Sequence, residues 1–445
     1  MTALCPIATT PARLALAILG ADDLRRVHAA ALALLGAEGA AAEKAARLAP
    51  DTVVLGGRVF EHHAVLGVRH CWLATGGPAA LVRPREGGDP RPATAADLDE
   101  ACRLADALPE VAVVYGPPVR AAGETLLADL ACCFAATSKH VQLTTLRSVD
   151  EARAVLRMAL AVAGSEIEVR ARPPVSLCAG ADALGAASVF AGAGLPVGVV
   201  AAPTGREASA ADRADPPSDL AAALVRHHAG VLAACAAIQA TVPGAPFFYV
   251  ADPALAGLAA GSPEAAIFQI AATQLAALVG LPVTAVGMTT GSHEPDWQAC
   301  TQNTFAALST MAAGADLTAG AGTLGGSSVF SAQQLVMDSE IYSWNARLVA
   351  GFTVDEETIA LDVIRQVGIG GNFLGQRHTR THMKDIWKPR LLDRSMWDAW
   401  VASGREGAYE KASQLVDDHL AEHQVLPLGD EVTETLARIV AEAGL

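Results

Sequence analysis

Seven short runs rich in β-branched and apolar residues recur along this chain, at Val111 to Val114, Val141 to Thr144, Val175 to Leu177, Val197 to Val200, Phe247 to Val250, Val283 to Val286 and Leu317 to Thr318. Each is separated from the next by enough residues for a crossover helix, which parallel strands require and hairpins do not. Seven or eight βα units of this kind point to an α/β fold, a (β/α)8 TIM-type barrel, with a doubly wound open sheet as the alternative. Composition fits helices packed closely on a sheet: 52% of residues are hydrophobic, only 4% are aromatic, and there are 40 glycines.

Helix punctuation supports the same reading. Ser262-Pro263-Glu264 supplies an N-cap, a proline at the first helical position and an acid in the first turn, and Gly280 and Pro282 stop that helix. Ser331 with Gln334 predicts a capping box and Gly351 an end; Thr353 with Glu356 predicts a further box, closing at Gly368. Near the N-terminus, Leu24, Val27, Ala31, Leu34 and Leu35 predict an amphipathic helix lying outside the barrel. The β-like runs between Thr52 and Val82 read as a small cap, and the Pro- and Gly-rich stretch Arg83 to Thr94 as a boundary or surface loop. The expected division is therefore 1–94 as an N-terminal helical and β cap, 95–395 as the barrel and 396–445 as a C-terminal helical extension. A stripe of Val432, Leu436, Ile439 and Val440 predicts a last helix packing back on the body.

The formal charge of -15 argues against nucleic acid and anionic membrane as partners, since both would be repelled and no Lys/Arg run offsets it. Residues 265–292 carry no charged side chain, yet Gln269, Gln274, Gly280 and Pro282 divide them into a helix followed by a strand, so a buried barrel segment is expected rather than a membrane span. Met1 opens no basic and apolar leader, which makes the cytosol the expected compartment. The eight cysteines form no CxxC pair and read as small buried hydrophobes.

Generic chemical motifs are weak. Gly320-Ala321-Gly322 and Gly368-Ile369-Gly370-Gly371 lack the full phosphate-loop patterns, and neither GxxxxGK[ST] nor GxSxG occurs. His378 and His382 stand at i, i+4, a spacing that metal sites use, but no general-base Glu follows the first histidine and no cysteine lies near, so no metal is expected.

Read as a whole, the C-terminal half resembles a known family. In order, APFFYVADPALAGLAAG, SPEAAIFQIAATQLAALVGLPV, GADLTAGAGTLGGSSVFSAQQLVMDSEI, VDEETIALDVIRQVGIGGNFLGQRHT and WKPRLLDRSMWDAW look like the trimethylamine methyltransferase family, and the likeness extends to LRRVHAAALALLGAEG and the CWLATGGPAALVRP hairpin. The resemblance implies a (β/α)8 methyltransferase that docks a cognate corrinoid protein over the mouth of its barrel. The corrinoid cofactor would arrive on that partner and not be bound tightly by this chain. The founding trimethylamine enzymes carry pyrrolysine, whereas this sequence holds only standard residues, with Thr323 to Ser328 in the corresponding neighbourhood.

That difference bears on the substrate. A quaternary amine leaves as a neutral amine and needs no proton, whereas a tertiary amine is a poorer leaving group and needs an activating device. The implied substrate is therefore a quaternary amine such as glycine betaine, proline betaine, carnitine or γ-butyrobetaine. A non-catalytic betaine-binding barrel, and a demethylase of a sulfonium or tertiary amine, remain the alternatives. Aromatic and acidic groups suit the cation, and His, Asn or Arg would suit a carboxylate.

Barrel sites sit beyond the C-terminal ends of the strands. On that rule Tyr249 and Asp252, then Thr289, His293 and Trp297, then Thr323 to Phe330, are expected to bind substrate, joined by Asn372, Phe373 and His378 and by Glu340, Tyr342 and Trp344 on the helix after Ser331. Trp297 and Trp344 read equally well as core, Asp252 as a turn cap before Pro253, and Glu340 as the cation's partner. No side chain is assigned a catalytic proton. A homo-oligomer is compatible with the apolar content.

Overall fold

The computed structural model describes residues 14–144, 146, 148–180, 183–200 and 219–443. Its strands are β1 (Val53–Leu55), β2 (Ala64–Leu66), β3 (Trp72–Thr75), β4 (Leu81–Val82), β5 (Arg91–Pro92), β6 (Val111–Tyr115) and β7 (His140–Leu143). They continue as β8 (Val175–Gly180), β9 (Val197–Val200), β10 (Phe247–Ala251), β11 (Val283–Ala285), β12 (Leu317–Ala321), β13 (Thr323–Leu324) and β14 (Val329–Phe330). Strands β3, β6 to β12 form a closed barrel, every neighbouring pair parallel and β12 closing on β3. This is the expected (β/α)8 barrel.

All seven runs named from the sequence are barrel strands. The eighth strand is β3: Trp72–Thr75 lies within the stretch that reads as cap and hairpin, and it is a stave of the barrel. Gly76-Gly77-Pro78 looks like a hairpin turn, yet the chain does not fold back on β3. Instead β4 pairs with β14 and β5, building a four-stranded sheet from the segments that follow β3 and β12.

The β1–β2 hairpin plugs the N-terminal end of the barrel. Val53, Leu55, Ala64 and Leu66 join one apolar cluster with the inward-facing Trp72, Phe248 and Leu317. The Trp72 indole N–H donates to the Val65 carbonyl at 2.9 Å, and Asp316 accepts from the backbone N–H groups of Gly67 and Val283, each at 2.8 Å. Among the described residues the hairpin stoppers that end, which leaves the opposite end, where the strands finish, for a ligand.

Helices punctuate largely as expected. Ser262 caps Pro263–Leu278 with proline in the first turn, and Ser331 caps Ala332–Ala350, which ends at Gly351. The box expected at Thr353 and Glu356 is formed instead by Asp355 and Thr358, because the Asp355 carboxylate accepts the Thr358 N–H at 2.8 Å while the Thr358 hydroxyl accepts from Asp355. That helix is then cut in two at Ala360, whose φ is 48°. The uncharged stretch is a helix followed by β11, as read. Leu220–Thr241 is long and apolar enough to cross a membrane by composition, but it packs among neighbouring helices and buries His227, His228 and Gln239.

Candidate functional site

Strand alternation decides which side chains enter the barrel. On β10, Phe248 and Val250 point inward, whereas Phe247, Tyr249 and Ala251 belong to the outer layer beneath the helices. Tyr249 is therefore turned away from the mouth; its ring meets His227 edge-on, His227 in turn meets Phe268 edge-on, and the Tyr249 hydroxyl lies 3.3 Å from His228 Nδ1. Asp252 continues the inward parity beyond the strand. It caps the short turn Pro253–Ala256, accepting from Ala254 N at 2.9 Å, and its charge acts on Tyr115 and Cys178 from across the mouth.

Those two residues belong to a polar cluster that the sequence reading did not single out. The Tyr115 hydroxyl at the end of β6 hydrogen-bonds Cys178 of β8, and Gln142 Nε2 of β7 donates to the Cys178 sulfur at 2.6 Å. Burial pushes the Cys178 thiol up to about 12, and burial, with Cys178 and the Asp252 carboxylate nearby, pushes the Tyr115 phenol well above its ordinary range. Both groups keep their protons at neutral pH. Among the described residues, Gln142 Oε1, Thr144 Oγ1 and Thr284 Oγ1 are buried without a hydrogen-bond partner. Thr284 alternates with the outward-facing Val283 and Ala285, so its hydroxyl lies on the barrel interior. Unmet polar atoms at this depth are uncommon and mark a place where a ligand or water completes the set. The available signal was polar residues set in otherwise apolar strands, Gln142 in HVQL and Tyr115 ending VAVVY.

The hairpin β13–β14 borders this mouth. Its tip is tied to the segment after β11: Gly325 N donates to Ser292 O at 2.7 Å and Gly326 N to Thr290 O at 2.9 Å. Both glycines have positive φ, and a Cβ on Gly325 would lie 3.0 Å from His293 Nδ1, so His293 lies against the tip of the hairpin. The hairpin is fixed from behind by Asp338, whose Oδ2 accepts from Gly322 N at 2.8 Å while Oδ1 accepts from Asn303 and Gln334, each at 2.8 Å. Burial raises the Asp338 carboxyl to about 7 against those three hydrogen bonds.

The remaining expected residues lie elsewhere. Trp297 opens the helix Trp297–Ala313 and is largely exposed, and Phe330 is buried under Gly322 and Leu335. Tyr342 is buried in the outer layer and its hydroxyl donates to Cys71 O. Glu340 is held by Arg390, and Trp344 stacks on Trp387. Asn372 makes an Asx turn to Leu374 N; His378 lies 2.8 Å from Glu357 O and beside His382. The glycine-rich segment that carries Asn372 and His378 was joined to the mouth by sequence order alone; in the structure none of its residues is buried, and the hydrogen bonds of Asn372, His378 and His382 stay within residues 357–385.

Comparison with known proteins places the chain. Residues 31–443 match the family model described as trimethylamine methyltransferase (MTTB). The trimethylamine methyltransferase MttB of Desulfitobacterium hafniense is 31% identical over 420 residues, covering 90% of this chain and 82% of that protein. The MttB of Methanosarcina barkeri is 37% identical over 232 residues, covering 51% of this chain and 47% of its own. A glycine betaine methyltransferase of Desulfitobacterium hafniense is 33% identical over 235 residues, covering 51% and 49%.

Proposed function

The chain belongs to the trimethylamine methyltransferase family, and from that premise we propose that it transfers a methyl group from a quaternary, betaine-type amine to the corrinoid of a partner protein, in the cytosol. The observation that carries this reading is one aromatic ring, Tyr115, set across the barrel mouth from one carboxylate, Asp252, beside the uncharged side chains of Gln142, Thr144 and Thr284. A ring face and an anion are what a tetraalkylammonium cation requires, since it has no N–H to donate.

A reduced Co(I) corrinoid, when present, supplies the nucleophile that takes the methyl group. The C–N bond breaks with its electron pair remaining on nitrogen, so the departing amine is neutral and no proton moves. Protonated Tyr115 and Cys178 suit that chemistry, because neither competes as a base or nucleophile. The work left to the chain is placement: Asp252 holds the cation, while Gln142, Thr144 and Thr284 offer unmet polar atoms to the rest of the substrate. His293, which lies beside Gly325 of the β13–β14 hairpin, would meet a substrate carboxylate.

The test is methyl transfer to free Co(I) cobalamin, followed by visible absorption, across glycine betaine, proline betaine, carnitine, γ-butyrobetaine, a dimethylsulfonium compound and trimethylamine. Turnover with one quaternary amine, and none with trimethylamine, is expected. Turnover with trimethylamine alone would overturn the substrate class, and calorimetric binding of a betaine without turnover, even with the native corrinoid protein, would overturn the reaction.

A further inference from the structure

Gln142 lies on the inner face of β7, since Val141 and Leu143 on either side of it pack outward under the helices. Its amide nitrogen is committed to the Cys178 sulfur, and among the described residues its Oε1 is buried with no hydrogen-bond partner. The neighbouring hydroxyls on this wall of the barrel are engaged elsewhere. His140, two residues earlier on the same face, has Nδ1 2.9 Å from the Pro173 carbonyl and 3.3 Å from that of Gly56, so Nδ1 carries the hydrogen. Burial pushes the His140 ring down to about 4 and keeps it neutral, which leaves Nε2 as an acceptor. The Ser176 hydroxyl, 2.7 Å away, donates to it. The hydroxyl of Tyr115, the residue in register beside Gln142, is taken by Cys178.

The donor for Gln142 Oε1 must therefore come from what the barrel holds. Water can supply one, but a substrate that fills the interior displaces that water and must replace its hydrogen bond or leave the oxygen unmet. A simple betaine has nothing to offer: its quaternary nitrogen has no N–H, and its carboxylate only accepts. Thr144 and Thr284 are less demanding, because a hydroxyl both donates and accepts and can serve a carboxylate. Strands β7 and β11 stand four places apart in the closed ring of eight, so Gln142 and Thr284 are on opposite walls and a ligand between them meets a pure acceptor on one side.

Resting on the quaternary-amine reading above, we propose that the substrate is a hydroxylated quaternary amine whose O–H donates to Gln142 Oε1, and that Gln142 selects it from its deoxy analogues. The direct pairing of Tyr115 with Gln142 across β6 and β7 puts that acceptor on the wall that carries the ring assigned to the cation, which suits a hydroxyl a few bonds from nitrogen.

The experiment is calorimetric binding to the full chain without corrinoid, using two pairs that differ in the hydroxyl: carnitine against γ-butyrobetaine, and choline against propyltrimethylammonium. In at least one pair the hydroxylated member should bind on the order of 10- to 100-fold more tightly, the range expected when a buried acceptor is left without its donor. Gln142→Leu should abolish the preference, and Gln142→Glu, which keeps an acceptor in place, should retain it. Thermal melting checks that both variants fold, and the ligand comparison on the unaltered chain decides the matter if they do not. Binding of γ-butyrobetaine or glycine betaine as tightly as the hydroxylated amines would overturn this inference and leave the quaternary-amine reading intact; so would a preference that survives Gln142→Leu. Failure of every quaternary amine to bind would overturn both, and binding of trimethylamine in their place would explain why, since its protonated form brings an N–H of its own to Gln142.

Discussion

Arg390 closes over Glu340. Its backbone N–H donates to Oε1 at 2.9 Å and its Nε lies 3.3 Å from Oε2, while its other guanidinium nitrogens reach Glu110 and Ser339. An anion so engaged is unavailable to a substrate cation. Glu340→Gln should leave substrate affinity unchanged and cost about 1–3 kcal/mol of stability, since the buried backbone bonds survive and the charge pairing does not. Urea denaturation and isothermal titration separate the two effects, and a tenfold loss of affinity at unaltered stability would return Glu340 to the site.

Asp252 is the contrasting case. Its carboxylate both caps a turn and faces Tyr115 and Cys178, and asparagine keeps the cap while removing the charge. Asp252→Asn should weaken binding of a quaternary amine by about tenfold or more, from loss of roughly 1–2 kcal/mol of cation attraction, with the melting temperature nearly unmoved. Binding of an uncharged isostere of the substrate should not change. Equal losses for both ligands would mean that the residue only shapes the turn.

The strands were legible because apolar runs at crossover spacing have few other solutions, and seven of the eight were placed from that pattern. Trp72–Thr75 was misplaced because a Gly-Gly-Pro turn has the same local chemistry whether it ends a barrel stave or begins a hairpin. The site was less legible, and for a physical reason: rules for barrel tops name segments, whereas parity within each strand names side chains. Tyr249 and Phe248 are adjacent, and one faces the helices while the other faces the interior. Tyr115, Gln142 and Cys178 lie on three strands far apart in sequence and meet only when the barrel closes. Glu340 could not be assigned from sequence, because Arg390, 50 residues away, is what occupies it.

Asp338 predicts a pH dependence of stability. Its carboxyl is raised from 3.8 to about 7 by burial, so between those values the native chain keeps a proton that the unfolded chain has released. Stability from this group is therefore full at the acidic end and falls as pH rises from about 4 to about 7, then levels off. Asp316, raised to about 6 chiefly by burial, contributes with the same sign over a narrower range. Asp338→Asn, which preserves the acceptor for Gly322 N, should flatten the slope of unfolding free energy against pH by up to one proton and leave the Asp316 part. Identical slopes for the two proteins, measured by urea titration at several pH values, would contradict this assignment.

Gly198 on β9 faces Phe248 on β10 in direct register, and a Cβ there would lie 2.2 Å from the Phe248 ring. A contact that short cannot persist, so Gly198→Ala must displace the ring or bend the strand, at a cost of about 1–3 kcal/mol. Phe248 is followed on the same inward face by Val250 and then Asp252, so a displaced ring disturbs the floor beneath the proposed cation site as well as the interior. Phe248→Leu removes the obstructing edge. Combined with Gly198→Ala it should cost less than the two single substitutions added together, by about 0.5 kcal/mol or more in a double-mutant cycle of denaturant midpoints. Simple additivity would mean that the ring has room to move and that glycine at 198 serves the strand's backbone rather than the packing of the barrel interior.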